Sequence, residues 1–160
     1  MSAISLLTQV VVFRLDEQRY AASLAGVERV IPAVEVTSLP NAPAIVFGVI
    51  NVAGSIVPVI NLRRRFRVTE RAVSSADQFL IVHTNRQRVA LVIDEAEGVI
   101  EYLDKDIVRA TQIVPGVDQI QGLIKLPDGL VLLHDLEKLL SLDEARVLSD
   151  ALNQEVPHGA

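Results

Sequence analysis

The chain has 160 residues, half of them hydrophobic and 22% charged, with four Phe, two Tyr and a formal charge of −5. That length holds one compact unit or two small ones able to bury a core without covalent staples, and the absence of cysteine excludes disulfides, thiolate nucleophiles and thiolate metal sites. The acidic balance argues against a nucleic-acid surface, and the richest apolar stretch, Ile45 to Ile60, is broken by Gly48, Asn51, Gly54 and Pro58, too soon for a membrane span. The N-terminus lacks the basic start and long apolar run of a secretion signal, so a cytoplasmic protein with protein partners is expected.

Short runs of valine and isoleucine bounded by Gly, Pro, Asn and Asp predict many short strands. Val10 to Leu15 and Tyr20 to Leu24 flank Asp16-Glu17-Gln18 as a hairpin, and Val27 to Val34 is extended. Pro40 and Pro43 mark a rigid crossing. Phe47 to Val52 and Ile56 to Leu62 surround Ala53-Gly54-Ser55, a turn in which Gly54 can take positive φ. Pro58 has no N–H for a ladder, which predicts an edge position or a bulge. Arg63, Arg64, Arg65, Arg67 and Arg71 then form the one charge cluster, read as a solvated helical turn between units in preference to an acidic-partner surface.

Beyond Arg71 the succession restarts. An offset of 69 lays Val10-Val11-Val12-Phe13 on Phe79-Leu80-Ile81-Val82, and Val27-Glu28-Arg29-Val30-Ile31 on Ala96-Glu97-Gly98-Val99-Ile100. An offset of 74 lays Gly48-Val49-Ile50-Asn51-Val52 on Gly122-Leu123-Ile124-Lys125-Leu126, and Ile56-Val57 on Leu130-Val131. Two copies of a strand unit are inferred, packed along an apolar crease because neither copy buries enough surface alone. Ser141-Leu142-Asp143-Glu144 has the form of a capping box, and Leu142, Ala145, Leu148 and Leu152 share one stripe, predicting a helix over 142–153 and a tail over 154–160.

Reactive chemistry is not expected. His83, His134 and His158 are too scattered for a metal motif, and His134 is expected to be satisfied or exposed. Asp94-Glu95 and Asp104 with Asp106 are carboxylate pairs of the kind that turns and loops collect, and no phosphate-cradling glycine pattern or nucleophile elbow occurs. No cofactor, metal or catalytic residue is assigned.

The run Leu39-Pro40-Asn41-Ala42-Pro43, then Gly48-Val49-Ile50-Asn51 and Gly54-Ser55-Ile56-Val57-Pro58-Val59-Ile60-Asn61-Leu62-Arg63, resembles the CheW-like chemotaxis coupling proteins. Phe13 with Tyr20-Ala21, Val92-Ile93-Asp94 and Asp135 to Leu140 support the resemblance, which covers roughly residues 9–141. It implies two five-stranded SH3-like β-barrels, at about 9–70 and 77–140. It also implies a non-catalytic adaptor that links the cytoplasmic tip of transmembrane chemoreceptors to the regulatory domain of a CheA-like histidine autokinase in a receptor array. By matching motif positions, the receptor role falls on Val27, Arg29, Gly48, Phe79, Ala90 and Val99. The kinase role falls on Asn51, Val52, Ala53, Gly54, Ile56, Val57, Pro58 and Val59.

Two positions depart from the family pattern. Ala53 stands where most relatives carry arginine, and Arg29 stands where relatives are often acidic or neutral. They point to a specialised receptor or kinase set, for pili, surface sensing or biofilm control. Two alternatives of other kinds stay open: a free-standing inhibitor or spacer of such arrays, and a small enzyme or ligand-binding barrel using the crease with Asp94 and Glu95.

Overall fold

The computed structural model describes residues 7–109 and 120–155, the side chain of Glu155 excepted. In chain order the elements are β1 (Leu7–Leu15), β2 (Gln18–Ser23), β3 (Val27–Pro32), β4 (Val46–Val52), β5 (Ser55–Ile60), α1 (Leu62–Phe66), β6 (Gln78–His83), β7 (Arg88–Ile93), β8 (Glu95–Leu103), β9 (Ile107–Arg109), β10 (Ile120–Leu126), β11 (Gly129–His134) and α2 (Leu142–Glu155). The mainly β architecture with a C-terminal helix is the one the sequence implies. The expected capping box forms, with Glu144 N–H donating to Ser141 Oγ at 3.0 Å and Ser141 N–H to Glu144 Oε1 at 2.8 Å. The tail from Val156 to Ala160 lies outside the described residues.

One sheet has the order β8-β1-β2-β11-β10-β9 and the other β3-β6-β7-β5-β4. Neither is built from one half of the chain alone. The first half sends its β1–β2 hairpin to the strands of the second half, and the second half sends β6–β7 to the strands of the first. The limits 9–70 and 77–140 therefore follow the sequence repeat, while the sheets cross them.

Each sheet rolls up by the same device. In the first, β8 and β9 are the outermost strands yet are joined by only Asp104–Asp106. Six flat strands would set them about 24 Å apart, beyond the roughly 10–15 Å that three linking residues span, so the sheet curls. β8 and β9 are two ends of one bent run, which is why six strands are seen where five were expected. In the second sheet the chain beyond β3 reaches Thr37, which exchanges backbone hydrogen bonds of 2.9 and 2.8 Å with Val49 of β4.

Both closures need a glycine. A Cβ on Gly48 would stand 2.1 Å from the Thr37 carbonyl oxygen, and one on Gly122 would stand 2.4 Å from that of Val108 on β9. These are the glycines that the repeat superimposes, and each sits at a register shift in its hairpin.

Pro58 is not on an edge strand, since β5 runs between β4 and β7. Val49 uses both backbone groups on Thr37, so its pairing with Pro58 is a non-hydrogen-bonded one and the proline nitrogen faces the β7 side. There the ladder begins only at Val59, so no donor is missed and Ser55–Val57 keep one free side.

The largest core cluster draws on both sheets, with Phe13, Leu15 and Tyr20 from one and Ile60, Leu80, Leu91 and Ile93 from the other. Leu148 and Ala151 of α2 seal it. Rings continue across the seam: Phe13 to Tyr20 at 5.9 Å, Tyr20 to Phe66 at 4.5 Å and Phe66 to His134 at 4.5 Å. His134 is buried, and neither ring nitrogen has a partner among the described residues, so it is neither satisfied nor exposed as expected. Burial, helped by the nearby Arg65 charge, pushes its pKa down to about 3.

The arginine cluster is a clamp and not a solvated run. Arg63 of α1 is buried and donates to both carboxylate oxygens of Asp16 at 2.8 and 2.9 Å, to Asp94 at 2.8 Å and to the Thr69 carbonyl at 3.0 Å. Arg71 donates to Asp77 at 2.7 and 2.8 Å and to Asp94 at 2.8 Å. Asp94 stands where the chain crosses from β7 to β8 and also accepts the Asp16 N–H at 2.7 Å. The turn of the β1–β2 hairpin is thereby tied to the other sheet. Arg65 pairs with Glu144 of α2, leaving Arg64 and Arg67 as the exposed members of α1 and its cap.

Two measurements check this framework. Gly48→Ala and Gly122→Ala should each cost about 2–4 kcal/mol in urea unfolding, since backbone and not a flexible side chain fills the Cβ space. For His134 the unfolded chain takes up a proton below about 6.5 that the folded state refuses, so stability is lost as pH falls. By pH 5 the loss is about 2 kcal/mol relative to pH 7.5, and His134→Phe should remove that part of the pH dependence.

Candidate protein-docking surfaces

The receptor-assigned positions fall at different depths. Val27, Arg29, Phe79 and Ala90 lie on the adjacent strands β3, β6 and β7, where Val27 pairs with Val82, Arg29 with Ile81 and Ile81 with Ala90. Phe79 and Ala90 are fully buried, and Gly48 is covered by Thr37. These three support the surface from beneath and present none of it. Val27 is half-buried, Arg29 is exposed, and Val99 is 51% exposed on β8 of the other sheet. β8 is anchored beside β6 by Ala96 N–H donating to Gln78 Oε1 at 2.7 Å.

The kinase-assigned positions divide likewise. Asn51, Ala53, Gly54 and Ile56 are exposed at the β4–β5 turn, whereas Val52, Val57, Pro58 and Val59 are buried. Ala53 and Gly54 both have positive φ, 51° and 88°, the geometry of a tight hairpin turn, and Asn51 Oδ1 accepts the Gly54 N–H at 2.8 Å. Ile56 projects beside that turn with 46% of its surface open.

Sequence reasoning missed the counterparts of these residues, although the repeat could have found them. Val30 is the counterpart of Val99 and is 39% exposed, and Leu130 is the counterpart of Ile56 and is 49% exposed. Four of the exposed large apolar residues thus form two repeat-related pairs, one on the outer strands β3 and β8 and one at the hairpin tips.

Charge on the outer strands is uneven. On β3 the Glu28 carboxylate receives Arg88 at 2.6 Å and faces His83 Nε2 at 2.9 Å, and the Arg88 hydrogen bond first of all holds its pKa below the usual range. On β8, Glu95 and Glu97 share Arg14 at 3.4 and 3.6 Å, and Glu101 has Gln9 at 3.3 Å.

The carboxylates considered for acid–base work are otherwise engaged. Asp94 belongs to the arginine clamp and Glu95 to Arg14, while Asp104 accepts from Thr8 at 3.4 Å. Among the described residues no group of three or more His, Asp or Glu is placed to hold a metal, and no helix is long and apolar enough to cross a membrane. An open cleft of about 350 Å³ lined by Gly26, His83, Asn85, Leu136 and Glu137 meets His134 only at its wall. What the surface offers is apolar spots with charged flanks, the surface chemistry of a protein contact.

Residues 9–144 match the CheW-like domain family. The chain is 29% identical over 148 residues to the chemotaxis protein CheW of Treponema pallidum, covering 89% of this chain and 87% of that protein. It is 27% identical over 143 residues to the chemotaxis protein CheW of Klebsiella aerogenes, covering 87% and 85%. The crystal structure of the scaffolding protein TtCheW from Thermoanaerobacter tengcongensis superposes with a TM-score of 0.78 at 27% identity, covering 87% of this chain and 96% of that one. With the rolled double sheet, the paired apolar tips and a family match over most of its length, the chain belongs to the CheW family of non-catalytic chemotaxis scaffolding adaptors.

Proposed function

We propose that this chain couples the cytoplasmic tip of methyl-accepting chemoreceptors to the regulatory domain of a CheA-like histidine autokinase, in an array beneath the membrane. The observation that carries the reading is that Val99 on β8 and Ile56 beside the β4–β5 turn are both exposed apolar residues, set on different sheets. An adaptor needs two such surfaces, and an enzyme needs neither.

On the receptor surface Val27, Arg29 and Val99 contact a helical hairpin, while Gly48, Phe79 and Ala90 hold the strands beneath rigid. On the kinase surface Asn51, Ala53, Gly54 and Ile56 make the contact, with Val52, Val57, Pro58 and Val59 as its buried footing. Each contact is small, with affinity on the order of micromolar, about −8 kcal/mol. Repetition in a lattice raises the effective concentration of every further contact. Signalling is then a shift between interface arrangements that the receptor biases. Ala53 and Arg29 fit a specialised pathway, for pili, surface sensing or biofilm control.

Val99→Asp should lower receptor co-sedimentation at least tenfold with unchanged circular dichroism and melting temperature, because the side chain is exposed in the free protein; retained binding removes Val99 from the contact. Ala53→Arg leaves the backbone strain of the positive φ unchanged, as both residues carry a Cβ, and should raise affinity for the kinase regulatory domain several-fold in calorimetry. Unchanged affinity excludes the turn from the contact. Receptor binding without any kinase binding would favour the spacer.

A further inference from the structure

The ribbon of β1 and β8 turns a second apolar residue outward on the face of Val99. Pairing runs without a shift from Leu7 with Leu103, through Gln9 with Glu101, to Val11 with Val99, and the side chains of alternate pairs share a face. Val10 and Ile100, one of the pairs between, turn the other way and pack in the cluster around Ile124 and Leu133. Leu7 at 57% exposure and Val99 at 51% therefore stand on one face of the ribbon, with Glu101 between them.

Glu101 is the unneutralised charge of this face. It is exposed, and among the described residues its partner is the Gln9 side-chain amide, an uncharged donor at 3.3 Å. Arg14, the cation of β1, is held by Glu95 and Glu97 at 3.4 and 3.6 Å, past the register shift in the ribbon. A partner that covers both Leu7 and Val99 strips water from the Glu101 carboxylate, which is costly unless the same partner supplies a cation.

The spacing fixes the form of that partner. Val99 and Leu103, the residue opposite Leu7, are four strand residues apart, about 13 Å. Eight residues of α-helix rise about 12 Å, so positions i and i+8 of one helix ridge reach the two apolar places while i+4 stands over Glu101.

We propose that this ribbon face seats a receptor helix carrying an apolar residue at i, Lys or Arg at i+4 and an apolar residue at i+8, and that Glu101 is the specificity residue which selects it. This assignment rests on the reading of Val99 as a receptor contact and adds to it Leu7, Glu101 and the charge that the receptor tip carries.

The test titrates the full chain with a helical-hairpin fragment of a methyl-accepting receptor tip from the same cell, by calorimetry at low and moderate salt. Glu101→Gln should weaken binding about tenfold at low salt, with the loss shrinking as salt rises. Glu17→Gln, the same change of charge in the turn at the opposite end of β1, should leave binding unchanged. Leu7→Ser should weaken it about fivefold at both salt concentrations, through lost apolar burial. All three side chains are exposed, so the melting temperature stays that of the wild type. With each Lys and Arg of the fragment changed singly to Glu, one form should bind the Glu101→Lys chain more tightly than it binds the wild-type chain. If no form does so, or if Glu17→Gln weakens binding as much as Glu101→Gln, Glu101 selects nothing and the proposal is wrong, while a loss of binding in Val99→Asp keeps the docking face. If the unaltered fragment does not bind the wild-type chain, the docking face itself fails and the proposal fails with it.

Discussion

Neither half of this chain can cover its own apolar surface, and the exchange of hairpins between halves is the constraint from which the rest follows. β1–β2 completes the sheet of β8–β11, and β6–β7 completes that of β3–β5. The seam between them is consequently a continuous core and not a contact between two finished units. Breaking it would expose residues such as Phe13, Leu80 and Ile93 that are almost wholly removed from water. The arginine clamp reinforces this at the periphery, where Asp94 holds the crossing between sheets with Arg63, Arg71 and the Asp16 backbone. A buried guanidinium left without its carboxylates is costly, so the clamp works as a fixture whose parts are mutually necessary.

That rigidity shapes the docking surfaces. Because the central strands β6 and β7 are filled from both sides, Phe79 and Ala90 are closed to solvent and hold the neighbouring strands in place. What remains accessible is the outer strands and the tips, which the duplication has made in pairs. The two outer strands differ in charge: β3 carries Arg29 and Glu28, the latter held by Arg88 of β7, while β8 carries Glu95 and Glu97 on Arg14 of β1 and Glu101 beside Gln9.

Much of this was legible from residues alone. The strands, the capping box of α2 and the doubled unit all follow from local pattern, and the superposition of Gly48 on Gly122 marks the two places where backbone crowds a hairpin at its register shift. The exchange was not legible, because the two hairpins are so alike in pattern that pairing within a half and pairing across halves look the same. Pro58 misled for a related reason. Its missing donor is harmless wherever a strand leaves its neighbour part-way, and strand-by-strand reading does not see that β5 meets β7 only from Val59 onward. The arginine run likewise read as solvated because Asp16, Asp77 and Asp94, its partners, are remote in sequence.

The hairpin exchange also orders events during synthesis. Every strand of the β3–β7 sheet has left the ribosome once Ile93 is out, whereas β1 and β2, the first strands made, wait for β8, β10 and β11. Until about residue 134 has emerged, the N-terminal hairpin carries an unmatched edge through the crowded cell. Closure of that sheet pairs Arg19 with Val131, the kind of long-range contact on which loop-closure entropy weighs most heavily.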